Sequence, residues 1–115
     1  MDGRTIRLKR LFGDGRAVII AIDHGMFDGP IEGMGDLPAT ARKINPEVDA
    51  VLLAPGMIRH CGEIFAGSGR PLVVTRLNWN SVYCFQWNYR AARSQNAHGV
   101  EDALAEGMDI ALVSL

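Results

Sequence analysis

The stretch Ala17-Val-Ile-Ile-Ala-Ile-Asp23, with His24 and Gly25 directly behind it, decides the reading of the fold. It is apolar, rich in β-branched residues and ends on a carboxylate, the pattern of a buried strand that delivers a polar group at its tip. Three further runs have the same character: Ala50–Ala54, Leu72–Leu77 and Ile110–Ser114. All four are nearly continuous in hydrophobicity rather than alternating, which suits parallel strands covered by helices. Helical signals fall between them. Asp36 can cap a helix running through Ala39, Ala41 and Ile44, with Pro38 in its first turn and Pro46 as its stop. Residues 100–106 supply another helix, with Gly107 as its C′ residue. The link 81–97 has no clean period and reads as a loop with some helix.

Strands alternating with helices predict an α/β fold with right-handed crossovers. The runs recur about every 31 residues. Eight units at that spacing need roughly 250 residues, a usual length for a (βα)8 TIM barrel. The chain of 115 residues holds four, so residues 1–115 are expected to form the N-terminal half of one such domain. A half-barrel leaves apolar sheet edges without neighbours, which implies completion by more chain or by another chain. The competing architecture is a small open four-stranded sheet of the flavodoxin kind.

Composition excludes several classes of function. The chain is 48% hydrophobic and 22% charged with a net charge of -1, an ordinary globular balance. Its 12 lysines and arginines are scattered, so no nucleic-acid partner is expected. The longest apolar run, Ala17 to Ile22, is too short to span a membrane. No membrane partner is expected, and a cytoplasmic location follows as the default. Cys61 and Cys84 form no CxxC pattern and are expected as thiols.

The segment 21–35 follows the first run, at the end of a barrel strand where active sites are built. Strand alternation turns Asp23 inward together with Ala17, Ile19 and Ala21, and turns Val18, Ile20 and Ile22 toward the helices. Asp23 is the candidate catalytic residue. A carboxylate so placed could equally cap a turn or pair with a nearby arginine. His24 and Asn78 are candidates for the substrate pocket. For His24 the alternative is a hydrogen bond to its own loop. For the amide- and aromatic-rich stretch 78–89 the alternative is packing or a subunit contact. Glycines 25, 29, 33 and 35 make the loop tight, but their spacing is neither GxGxxG nor a P-loop. The triplets 13–15 and 67–69 read as turns. His24, His60, His98, Cys61 and Cys84 lack the short paired spacing of a zinc site, so no metal is expected. No GxSxG elbow occurs.

Three segments carry a resemblance: Arg7-Leu-Lys-Arg-Leu-Phe12, Arg16 through Gly25 with Gly29-Pro30 and Gly33, and Pro55-Gly-Met-Ile-Arg-His60. Together they resemble the opening of archaeal-type class I fructose-bisphosphate aldolases. The related 2-amino-3,7-dideoxy-threo-hept-6-ulosonate synthase and the thiolase of phosphorylated autoinducer-2 share that opening. The pattern DHG-x-x-x-GP at 23–30 is its most specific part, and the likeness is weakest over 79–98. The resemblance implies a (βα)8 barrel in which a lysine ending strand six forms a Schiff base with a ketone. It also implies an aspartate ending strand one, matched by Asp23, and a proton-shuttling tyrosine on strand five. The implied partner is a phosphorylated sugar or ketone, with no metal, no organic cofactor and a homo-oligomeric assembly. The lysine and the phosphate site are expected beyond Leu115, because Lys9 precedes the first run and Lys43 belongs to the first helix. Tyr83 and Tyr89 follow the third run and do not take the tyrosine role. By itself the chain is therefore expected to be inactive, and the rival reading is a non-catalytic half-barrel that binds or assembles.

Overall fold

A computed structural model describes residues 1–13, 15–80 and 93–114. The four apolar runs form one parallel sheet: β1 (Ile19–Ala21), β2 (Ala50–Leu53), β3 (Leu72–Arg76) and, two strands later in the chain, β6 (Ile110–Leu112). Their order in the sheet is β1-β2-β3-β6. That order is sequential and has no reversal point, so it contradicts the flavodoxin-like alternative, which places its first strand inside the sheet. The strands are shorter than the apolar runs. Two aspartates help to explain this at the start of the ladders. Asp49 accepts a hydrogen bond from Val18 N–H (2.7 Å), and Asp109 accepts one from Val73 N–H (2.9 Å). Each stands just before a strand and clips the strand beside it, fixing register before the regular pairing begins.

The two faces of the sheet have separate cores. Ile22, Val51, Leu53 and Val73 pack with Ala41, Ile58 and Cys61 on the helix-covered face, with Ile20 against them. Ala50, Leu52, Leu72 and Val74 lie on the other face with Leu11 and Ala17. This division follows the alternation expected for the first run, with Ile20 and Ile22 toward the helices and Ala17 opposite. Every residue of β2 and β3 is buried, whereas β1 and β6 keep exposed positions. Fully burying each large aliphatic side chain contributes about 1.5–3 kcal/mol, so the central strands hold the sheet and the outer two are its weak edges. Thr75, fully buried among them, satisfies its hydroxyl by donating to Leu53 O (2.7 Å).

The helices are short. α2 (Gly25–Asp28) is a single turn, and α3 (Leu37–Ala41) starts as expected, with the Asp36 carboxylate accepting from Ala39 N–H (3.0 Å). It ends three residues before Ile44, and Ile44 N–H instead donates to Ala41 O in a turn (3.0 Å). α4 (Ile58–Cys61) lies between two 3-10 turns, Pro55–Met57 and Gly62–Ile64, and supplies Ile58 and Cys61 to the core. Burial pushes the Cys61 thiol pKa up. α5 (Val100–Ala105) closes at Gly107 as expected, with φ +110°.

Two features depart from the sequence reading. The polar, basic N-terminus forms α1 (Gly3–Leu11), capped by Asp2 accepting from Thr5 N–H (2.7 Å). Its one buried residue, Leu11, packs with Ala50, Leu52, Leu72 and Val74 on the face away from α3 and α4. The other is an antiparallel pair, β4 (Asn78–Asn80) with β5 (Ser94–Asn96), where a loop with some helix was expected. The remainder of that link, 81–92, lies outside the described residues and takes with it Tyr83, Cys84 and Tyr89. No helix among the described residues is long and apolar enough to cross a membrane.

Candidate active site at the carboxyl edge of the sheet

Asp23 leaves β1 where the pairing with β2 ends. Ile22 N–H still donates to Leu52 O (2.8 Å), while Asp23 O accepts from Met26 N–H (3.0 Å) and opens the α2 turn. The side chain is 6% exposed. A carboxylate buried this far needs a partner, and it has one: Arg76 Nε donates to Asp23 Oδ2 at 2.7 Å. Arg76 ends β3, at an alternation position shared with Leu72 and Val74. Asp23 therefore lies toward the face that carries Leu72, Val74 and Arg76, the side expected of it by alternation, and it also pairs with an arginine, the bland alternative. The two readings are compatible.

Arg76 is held at three points among the described residues. Besides Asp23, it donates through Nη1 to Ser114 Oγ, just past β6, and its guanidinium carbon lies 5.0 Å from the centre of the Phe27 ring in α2. A cation over an aromatic face contributes about 1–2 kcal/mol when shielded from water. Trp79 adds a second tie to the same turn, donating from Nε1 to Met26 O (3.0 Å). The loop after β1 is thus fastened to β3 and β4 by side chains.

A cavity of about 690 Å³ opens beside Asp23, within the range of small-molecule sites. Asp23, Gly25, Met26, Pro30, Met34 and Met57 contribute to its wall. Gly29 and Gly33 take φ of +69° and +82° in this loop, a region that glycine enters without steric cost. Asp36 also reaches the cavity wall, but its carboxylate already caps α3. That leaves Asp23 as the acidic side chain of the wall with no capping duty.

The two pocket candidates lie elsewhere. His24 begins the α2 turn in helical geometry, so strand alternation no longer governs its direction. It is absent from the cavity wall, and its Nδ1 is buried without a hydrogen-bond partner among the described residues. The loop contact expected of it is made by its backbone, whose carbonyl accepts from Phe27 N–H (3.0 Å) and Asp28 N–H (2.9 Å). Asn78 is 1% exposed and also off the cavity wall. Its Oδ1 accepts from Ser114 N–H (3.0 Å) and its Nδ2 donates to Ser114 O (2.8 Å), so the side chain acts as a short length of strand beside β6. Sequence reasoning passed over Arg76. The available signal was a lone charge in an otherwise uncharged run, at an alternation position shared with Leu72 and Val74. Among the described residues, no three or more His, Cys, Asp or Glu side chains are grouped to hold a metal ion.

A carboxylate and a guanidinium at the carboxyl edge of a parallel β/α sheet, beside a cavity, form the layout of a β/α enzyme site. Comparison with known proteins supplies the family. An uncharacterized aldolase of Saccharolobus solfataricus is 32% identical over 117 residues, covering 100% of this chain and 43% of the relative. The 2-amino-3,7-dideoxy-D-threo-hept-6-ulosonate synthase of Halobacterium salinarum is 43% identical over 56 residues, 48% of this chain and 21% of that protein. A 3-hydroxy-5-phosphonooxypentane-2,4-dione thiolase of Klebsiella pneumoniae is 28% identical over 82 residues, 70% of this chain and 27% of the relative. No protein-family model matches the chain. These relatives place the chain in an aldolase-like enzyme family. The chain spans less than half the length of the curated relatives it matches, a share that fits the N-terminal half of such a protein.

Proposed function

We propose that this chain is the first half of a (βα)8 barrel whose intact form is a class I, Schiff-base aldolase-type enzyme. It makes or breaks carbon–carbon bonds in phosphorylated sugars or ketones such as fructose 1,6-bisphosphate, in the cytoplasm and as a homo-oligomer. The observation that carries this reading is Asp23: a buried, ion-paired carboxylate at the end of the first strand, on the wall of a cavity of about 690 Å³. The sequential order of the sheet and the names of the relatives support it.

In this reading a lysine amine adds to the substrate ketone and, after loss of water, gives a protonated imine. That cation draws in the electron pair of the carbon–carbon bond being broken. Asp23 would orient the imine and stabilise its charge, in surroundings drier than bulk solvent. The amine comes from outside residues 1–115. Lys9 on α1 and Lys43 beyond α3 are both exposed, and neither follows a strand. The chemistry asks for no metal and no organic cofactor.

The test is turnover of fructose 1,6-bisphosphate by the intact protein, read as release of triose phosphate. Asp23→Asn should lower turnover roughly 10²-fold or more, the scale for losing a positioned acid-base or electrostatic group. A folded Asp23→Asn protein with unchanged turnover would remove Asp23 from the chemistry.

A further inference from the structure

We propose that Arg76 is a positioning residue for the Asp23 carboxylate, reaching it across the sheet over Ala54 and setting turnover rather than substrate affinity. The proposal deepens the aldolase reading of this site and rests on it. The register supplies the geometry. Ala21 pairs with Leu52 and Leu52 with Val74, so one pleat further on Asp23, Ala54 and Arg76 stand level. Asp23 and Arg76 are two strands apart, about 9.6 Å between backbones. A bridge over that span needs a long side chain from one strand and a small one between. Arginine and alanine meet both needs: by alternation Ala54 follows Ala50 and Leu52, and it shares the cavity wall with Asp23.

Asp23 needs this support because its own strand gives little. Among the described residues β1 pairs only with β2, and Ile19 and Ala21 of β1 are exposed. The carboxylate is instead fixed from β3, by a guanidinium that is itself anchored to Ser114 and stacked over Phe27. The contact made to it is a donation from Nε to Oδ2 at 2.7 Å. Lysine at this position could reach toward the carboxylate but could not also hold Ser114 through a planar fork.

A double-mutant cycle in the intact protein, with fructose 1,6-bisphosphate as probe and folding checked by circular dichroism, tests this. Arg76→Lys should lower kcat about tenfold or more and leave KM within about twofold, since a misplaced catalytic group costs rate rather than binding. In the Asp23→Asn background the same change should cost nothing further. Arg76→Gln serves as the second variant and should show the same non-additivity with a larger loss. Equal fold-losses in both backgrounds, or a loss confined to KM, would overturn the positioning role while leaving the aldolase reading intact. Absence of any turnover in the unsubstituted protein would end that reading, and this proposal with it.

Discussion

Asn78 shows how a single side chain can carry a structural duty that its residue type does not announce. Amide and acceptor both engage the backbone of Ser114, and Nδ2 also donates to Ser94 Oγ (2.8 Å). One buried group thereby joins the end of β3, the β4–β5 pair and the end of β6. Asn78→Ala should destabilise the intact protein by about 2 kcal/mol, because it removes two hydrogen bonds to the Ser114 backbone. Urea denaturation of the two proteins measures this, and a change below about 0.5 kcal/mol would show that the clip contributes little. Asp23 was legible at this scale because a carboxylate ending an apolar strand has few explanations. Asn78 was not, since an amide after a strand is equally at home in a pocket, a turn or a clip. Arg76 was hidden by its neighbours, which dominate the hydrophobic signal of 72–77.

Among the elements, α5 was the most readable because its stop is local chemistry. Met108 N–H donates to Ala103 O (3.0 Å) and Gly107 N–H to Leu104 O (3.0 Å), with Met108 and Ala103 in one apolar cluster with Leu77. This is the paired arrangement that a left-handed C′ residue permits. Gly107 stands at φ +110°, where a Cβ is strained whatever the space around it. Gly107→Ala should therefore cost about 1 kcal/mol in thermal or urea unfolding, and a neutral or stabilising substitution would mean the turn can relax into another shape. Strand lengths were less legible than strand positions. Hydrophobicity marks residues that are buried, whereas the ladders end where Asp49 and Asp109 take over a neighbour's N–H and where Asp23 turns into α2. α1 escaped because only Leu11 of its residues is buried, so no apolar stripe marks it. The β4–β5 pair joins residues on either side of a segment without a clean period, and local pattern cannot reveal such a pairing.

For the molecule as a whole, the parallel order was legible from the recurrence of apolar runs, because unbroken hydrophobicity at that length requires cover on both faces. What the sheet lacks is equally physical. Val18 and Ile19 beside the β1 edge and Val113 beside β6 are 56%, 45% and 51% exposed, apolar positions that a closed barrel would cover with its remaining strands. In the proposed mechanism Asp23 serves a Schiff base whose lysine is neither Lys9 nor Lys43. Borohydride reduction of the intact protein with fructose 1,6-bisphosphate, followed by peptide mass mapping, tests it most directly. The account predicts one substrate-dependent adduct, on a lysine outside residues 1–115, with peptides containing Lys9 and Lys43 unmodified. A specific adduct on Lys43 or Lys9, or no adduct from a protein that turns the substrate over, would contradict it.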